Sequence, residues 1–70
     1  MLLNDTTKDV KKLMVEESTN QTEIAKKLNT RNQYINRVIN TTTNPISKPF
    51  MAILEAIGYD IKIEYIKRED

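Results

Sequence analysis

The chain has 70 residues and a net charge of +1, with neither cysteine nor histidine. Disulfides and the common zinc-ligand sets are therefore excluded, as is any serine nucleophile activated by an imidazole. A domain this short buries only a small core, which leaves a partner chain as the expected source of extra stability. No apolar run has the length needed to cross a membrane and no signal-peptide pattern is present, so the expected location is the cytoplasm. Charge is unevenly spread. Residues 21–40 hold Lys26, Lys27, Arg31 and Arg37 against Glu23, a net of +3, while the segments on either side are each −1. Such a local excess is the electrostatic footprint expected of a nucleic-acid contact.

Taken in chain order, "TTKDVKKLMVEES" at 6–18 predicts a helix with Thr6 as cap and Asp9 as the return partner of a capping box. Val10, Leu13 and Met14 fall at i, i+3 and i+4 and make its inward stripe. A second, short helix is predicted over about 21–28, capped by Asn20 with Glu23 at its third position. Its inward face is Ile24, Ala25 and Leu28, and Asn29 follows as a residue tolerant of a left-handed turn. A third helix is predicted over about 31–40, with Thr30 answered by Gln33, or Arg31, as its cap. Ile35, Val38 and Ile39 point to one side; Asn32, Gln33, Asn36, Arg37 and Asn40 point to the other. "TTTNP" reads as a loop. A fourth helix then begins at the cap Ser47 with Pro49 in its first turn, runs through Phe50, Ile53, Leu54 and Ile57, and ends at Gly58.

The tail changes period from 3.6 to 2. Tyr59, Ile61, Ile63 and Tyr65 alternate with Asp60, Lys62 and Glu64, which predicts a strand over 59–67. A lone strand leaves a row of unpaired backbone groups, and no other segment of the chain reads as its partner. The same segment of a second copy, paired antiparallel about a two-fold axis, is the simplest supplier. Tyr59, Ile61, Ile63 and Tyr65 are accordingly the expected homodimer interface.

Surface helix positions ordinarily favour Lys, Glu and Ala over Asn, yet three asparagines occupy the nine positions 32–40. Their chemistry suits base edges. Asn and Gln amides bond adenine N6 and N7 together, and Arg does the same with guanine O6 and N7. Gln21, opening the second helix, is placed to donate to a phosphate. Lys26, Lys27 and Lys48 read more naturally as solvated charges than as phosphate ligands, and Tyr34 either flanks a DNA backbone or packs against the first helix.

On these residues the segment "QTEIAKKLNTRNQYINRVIN" resembles the helix-turn-helix of the phage Cro and repressor family, the xenobiotic-response-element type. The resemblance rests on Gln21, Ile24 and Ala25, Leu28 before the turn, and Ile35 and Val38 in the third helix, and it spans about residues 6–58. It departs from the family at Asn29, where glycine is frequent, and at Thr30 and Arg31, where a small hydroxyl cap is frequent. It implies a mainly α fold: a four-helix Cro/repressor-like domain over 1–58, followed by a β-strand at 59–67 that pairs across a homodimer. It implies a transcriptional regulator, expected to be a repressor, that binds double-stranded DNA at a pseudo-palindromic operator and belongs to a phage or mobile element. Gln21, Arg31, Asn32, Gln33, Asn36, Arg37 and Asn40 are the expected DNA-binding residues. The alternatives are an antitoxin that also binds DNA, and a protein-interaction module of helix-turn-helix shape. An enzyme is not expected. Glu16 and Glu17 diverge by about 100° on a helix, Ser18 and Ser47 have no histidine, and Gly58 is the only glycine, so no glycine-rich phosphate loop exists. No cofactor, metal or small-molecule substrate is expected.

Overall fold

The computed structural model describes residues 1–69. The fold is mainly α, with four helices in the order α1 (Thr6–Glu16), α2 (Gln21–Lys27), α3 (Asn32–Thr41) and α4 (Lys48–Ile57). No strand occurs among the described residues, and no helix among them is long and apolar enough to cross a membrane.

The helix ends show why the chain folds back where it does. The cap of α1 is Asp5, not Thr6: the Asp5 carboxylate accepts from the Lys8 backbone N–H at 3.1 Å. Thr6 lies inside the helix, and its hydroxyl is drawn away to the Thr42 carbonyl at 3.1 Å. Asp9 makes no return bond to Thr6; Asn4 Nδ2 donates to its carboxylate at 3.1 Å. Asn20 caps α2 as its type predicts, accepting from Glu23 N–H at 2.9 Å. Of the two candidates for α3, Arg31 and not Thr30 holds the cap position, and it makes no side-chain cap bond. Ser47 likewise stands at the cap position of α4 without a side-chain bond.

Three left-handed residues close three helices. Ser18 (φ 53°) follows α1, Asn29 (φ 54°) follows α2 and Gly58 (φ 103°) follows α4. At the α2 end Thr30 N–H reaches Ala25 O at 2.9 Å and Asn29 N–H reaches Lys26 O at 3.2 Å, the paired bonds of a Schellman motif. The same pair recurs after α1, from Thr19 to Met14 and from Ser18 to Val15. A Cβ at Gly58 would meet nothing within 4 Å, so the backbone angle, and not crowding, calls for glycine there.

The core is the sum of the four inward stripes. Val10, Ile24, Ile35, Ile39 and Ile53 are almost wholly enclosed, with Met14, Ala25, Val38, Phe50, Leu54 and Ile57 around them. Leu13, Leu28 and Tyr34 pack on its margin. Each fully buried aliphatic side chain contributes about 1.5–3 kcal/mol of transfer free energy; α3 supplies two of them, Ile35 and Ile39, with Val38 beside them, which fixes its rotation. Two threonine hydroxyls of α1 lock the far end of α3: Thr6 bonds Thr42 O, and Thr7 bonds Ile39 O at 2.8 Å. These satisfy carbonyls that a helix end otherwise leaves without partners.

The tail differs from its sequence pattern. Residues 59–67, expected as a strand, have no strand pairing among the described residues. Tyr59 and Ile61 instead rest half-buried against the helical core, while Ile63 and Tyr65 stay exposed. The Tyr59 hydroxyl donates to the Glu17 carboxylate at 2.8 Å and anchors the root of the tail to the end of α1. Residues 1–4 lie beside the tail, which the residue pattern does not advertise: Leu2 and Asn4 share a groove with Ile61 and Ile63, and Met1 and Leu3 share another with Ile66.

Candidate nucleic-acid interface

The apolar side of α3 is consumed by the core, and this aims the opposite side outward. Arg31, Asn32, Gln33, Asn36, Arg37 and Asn40 are all exposed on one continuous face, and Gln21 is half-buried at its edge. All seven sequence-expected residues therefore meet on one surface, built from α3 and the start of α2.

Three amides on that face, Gln21, Asn36 and Asn40, are bonded in a chain, and a fourth, Asn32, bonds a hydroxyl. Asn32 Nδ2 donates to Thr22 Oγ1 at 2.9 Å, and Asn36 Nδ2 donates to Gln21 Oε1 at 3.3 Å, two ties between α2 and α3. Asn40 Nδ2 reaches back one turn to Asn36 O at 2.8 Å and to Asn36 Oδ1 at 3.2 Å. Each bond is solvent-exposed and adds little to folding stability. Its effect is on orientation, since a side chain held at one end presents its remaining donor or acceptor in a narrower range of directions.

Gln33 stands at the divide between two shallow depressions. One is lined by Gln21, Asn32, Gln33 and Asn36. The other is lined by Arg31, Gln33, Tyr34 and Arg37, with the Asn29–Thr30 turn at its rim. The Arg37 guanidinium lies 5.6 Å from the centroid of the Tyr34 ring, within cation–π range. Tyr34 therefore packs on the core margin and also supports a cation on the outer face. Thr41 Oγ1 bonds the Arg37 carbonyl at 2.6 Å in the last turn of α3.

The lysines separate by partner. Lys27 turns toward α4, where its ammonium donates to Ala56 O at 3.0 Å, near the C-terminal end of that helix. Lys27 nonetheless stays exposed, so the bond orients its ammonium without withdrawing it from solvent. Lys26 and Lys48 are exposed. Two residues that sequence reasoning missed join the face. Thr22 holds Asn32, and Lys11 of α1 borders the same hollow as Gln21, Thr22 and Asn32. Nothing in the local pattern of α1 singles out Lys11, because its proximity arises only when α1 packs across α3.

The surface offers amide donors and acceptors, two guanidinium groups and a single nearby carboxylate, Glu23, within 21–40. Among the described residues no group of three or more acidic side chains is gathered that would hold a metal ion. The chemistry available is hydrogen bonding and charge attraction. No family model, no curated protein and no solved structure matches this chain.

Proposed function

We propose that this protein is a sequence-specific DNA-binding regulator of the Cro/repressor-like helix-turn-helix type, working as a homodimer and repressing transcription at a pseudo-palindromic operator. The observation that carries the reading is the outward face of α3, where Arg31, Asn32, Gln33, Asn36, Arg37 and Asn40 stand together, exposed and tied to α2 through Gln21 and Thr22. In this reading α3 enters a major groove. Asn32, Gln33 and Asn36 select adenine edges, Arg31 selects guanine, and Arg37 and Gln21 fix the register on the backbone. Residues 59–67 pair antiparallel with the same segment of a second copy, with Tyr59, Ile61, Ile63 and Tyr65 as the interface. The two α3 helices then sit about 34 Å apart in successive grooves.

Gel-shift titration against a mixed duplex pool at several salt concentrations tests the reading. Binding that weakens steeply with salt, and that Gln33→Ala relaxes toward non-specific affinity, supports it. Undetectable duplex binding at low salt overturns it. Ile63→Asp in sedimentation tests the dimer: the expected result is a monomer with weakened operator binding.

A further inference from the structure

Among the described residues, the backbone from 60 to 67 makes no hydrogen bond within the chain, and neither do the side chains of Lys62 and Glu64. The same stretch exposes Ile63, Tyr65 and Ile66, and the neighbouring N-terminal residues expose Leu2 and Leu3. As an extended strand this stretch is an unpaired edge with Tyr59, Ile61, Ile63 and Tyr65 on one side and Asp60, Lys62, Glu64 and Ile66 on the other. Its occupant is identified by asking which sequence complements it.

We infer that the occupant is a second copy of this chain, docked antiparallel in one register only, with the two-fold axis passing through Ile63. The inference rests on the strand-paired homodimer of the preceding section and specifies how it is built. In an antiparallel pair, side chains directly opposite each other share a face. With the axis at Ile63, Lys62 faces the partner's Glu64 and Glu64 faces the partner's Lys62. On the other face Ile63 meets its own copy and Ile61 meets the partner's Tyr65. The whole of 59–67 is then matched, from Tyr59 opposite the partner's Lys67 onward.

The competing registers fail on charge or on length. Moving the axis to Lys62 or to Glu64 is a slide of two residues that keeps the faces, but it sets Lys62 against the partner's Lys62 and Asp60 against the partner's Glu64, or Glu64 against its own copy. An odd slide turns the apolar set to the wrong face. Placing the axis at Tyr65 brings Lys62 opposite the partner's Arg68. Placing it at Ile61 restores opposite charges between Asp60 and Lys62, yet the ladder then runs only over 59–63 before it meets Gly58 and the end of α4. Only the Ile63 axis sets Lys62 against the partner's Glu64 at both symmetry-related sites while matching the full segment; Asp60 then lies opposite the partner's Ile66. The apolar residues of 1–4 lie alongside and widen the surface that the second copy covers.

A charge-reversal pair tests the register. Lys62→Glu alone sets Glu against Glu at both symmetry-related sites, and Glu64→Lys alone sets Lys against Lys. Each is expected to weaken self-association roughly tenfold. Mixed together, the two variants regain opposite charges at both sites and form a heterodimer in preference to either homodimer, read by sedimentation and by native mass spectrometry. The double variant Lys62→Glu/Glu64→Lys recovers the wild-type dimer constant, which separates the effect from any loss of folding. If wild type is dimeric but the mixture shows no preference for the heterodimer, the register is wrong while the dimer stands. A wild type that stays monomeric at high concentration overturns the register together with the dimer reading.

Discussion

Asn36 of α3 donates to Gln21 of α2 at 3.3 Å, so the two helices are joined through the side chains expected to face DNA. Asn36 also accepts from Asn40, which leaves one donor hydrogen and open acceptor positions directed outward. Asn36→Ala is expected to leave the melting temperature nearly unchanged, because exposed amide bonds are weak and alanine is the better helix former. Duplex affinity should fall by roughly tenfold to hundredfold, the cost of one lost bidentate base contact of about 1–3 kcal/mol. Gel shifts beside thermal melts check both halves.

Arg37 presents its guanidinium over Tyr34 on the same face. Arg37→Glu places a carboxylate where a phosphate is expected, and it should weaken binding to every duplex by a similar factor. The slope of log affinity against log salt should fall by about one for each phosphate contact removed. Unchanged affinity would remove Arg37 from the interface.

Thr7 spans from α1 to the last turn of α3, its hydroxyl on the Ile39 carbonyl at 2.8 Å. Thr7→Val keeps the shape and deletes the donor. The expected loss is about 1 kcal/mol of stability, or roughly 4–8 °C in melting temperature for a domain of this size. Duplex affinity well below the melting temperature should be preserved, because the binding face is untouched.

The tyrosine at the root of the tail carries a pH signature. The Tyr59 hydroxyl donates to the Glu17 carboxylate, and this bond, with smaller contributions from burial and the charges of Glu17 and Glu16, raises the Tyr59 pKa above its ordinary 10.0. The neutral phenol is the favoured form in the folded state. The stabilisation is therefore complete below about pH 10 and is lost as pH rises through the raised value. Tyr59→Phe should flatten that alkaline loss relative to wild type in chemical denaturation followed from pH 8 to 11, within the arms of the curve attributable to this residue.

Local signals carried most of the helical architecture. The apolar spacing of Val10, Leu13 and Met14, of Ile24 and Ala25, of Ile35, Val38 and Ile39, and of Phe50, Ile53, Leu54 and Ile57 marks the inward faces, because a helix has one core-facing side. Asn29 and Gly58 were legible for a different reason, since few residues accept a left-handed backbone. Long-range bonds were not legible. Thr6 looks like a cap in sequence, but a carbonyl 36 residues away competes for its hydroxyl and Asp5 takes the cap. Lys27 looks like a free charge until α4 ends beside it. The alternation over 59–67 is equally plain in sequence, yet a strand exists only with a ladder to join, and one chain has none to offer.

The central claim is that the face holding Gln33 and Asn36 reads base edges, and selection of bound duplexes from a random pool tests it most directly. The account predicts enrichment of one site with two inverted half-sites, their centres one helical turn apart, and loss of preference at individual base positions in Gln33→Ala and Asn36→Ala. A pool that emerges without a shared sequence, or a preference that survives both substitutions unaltered, would contradict it.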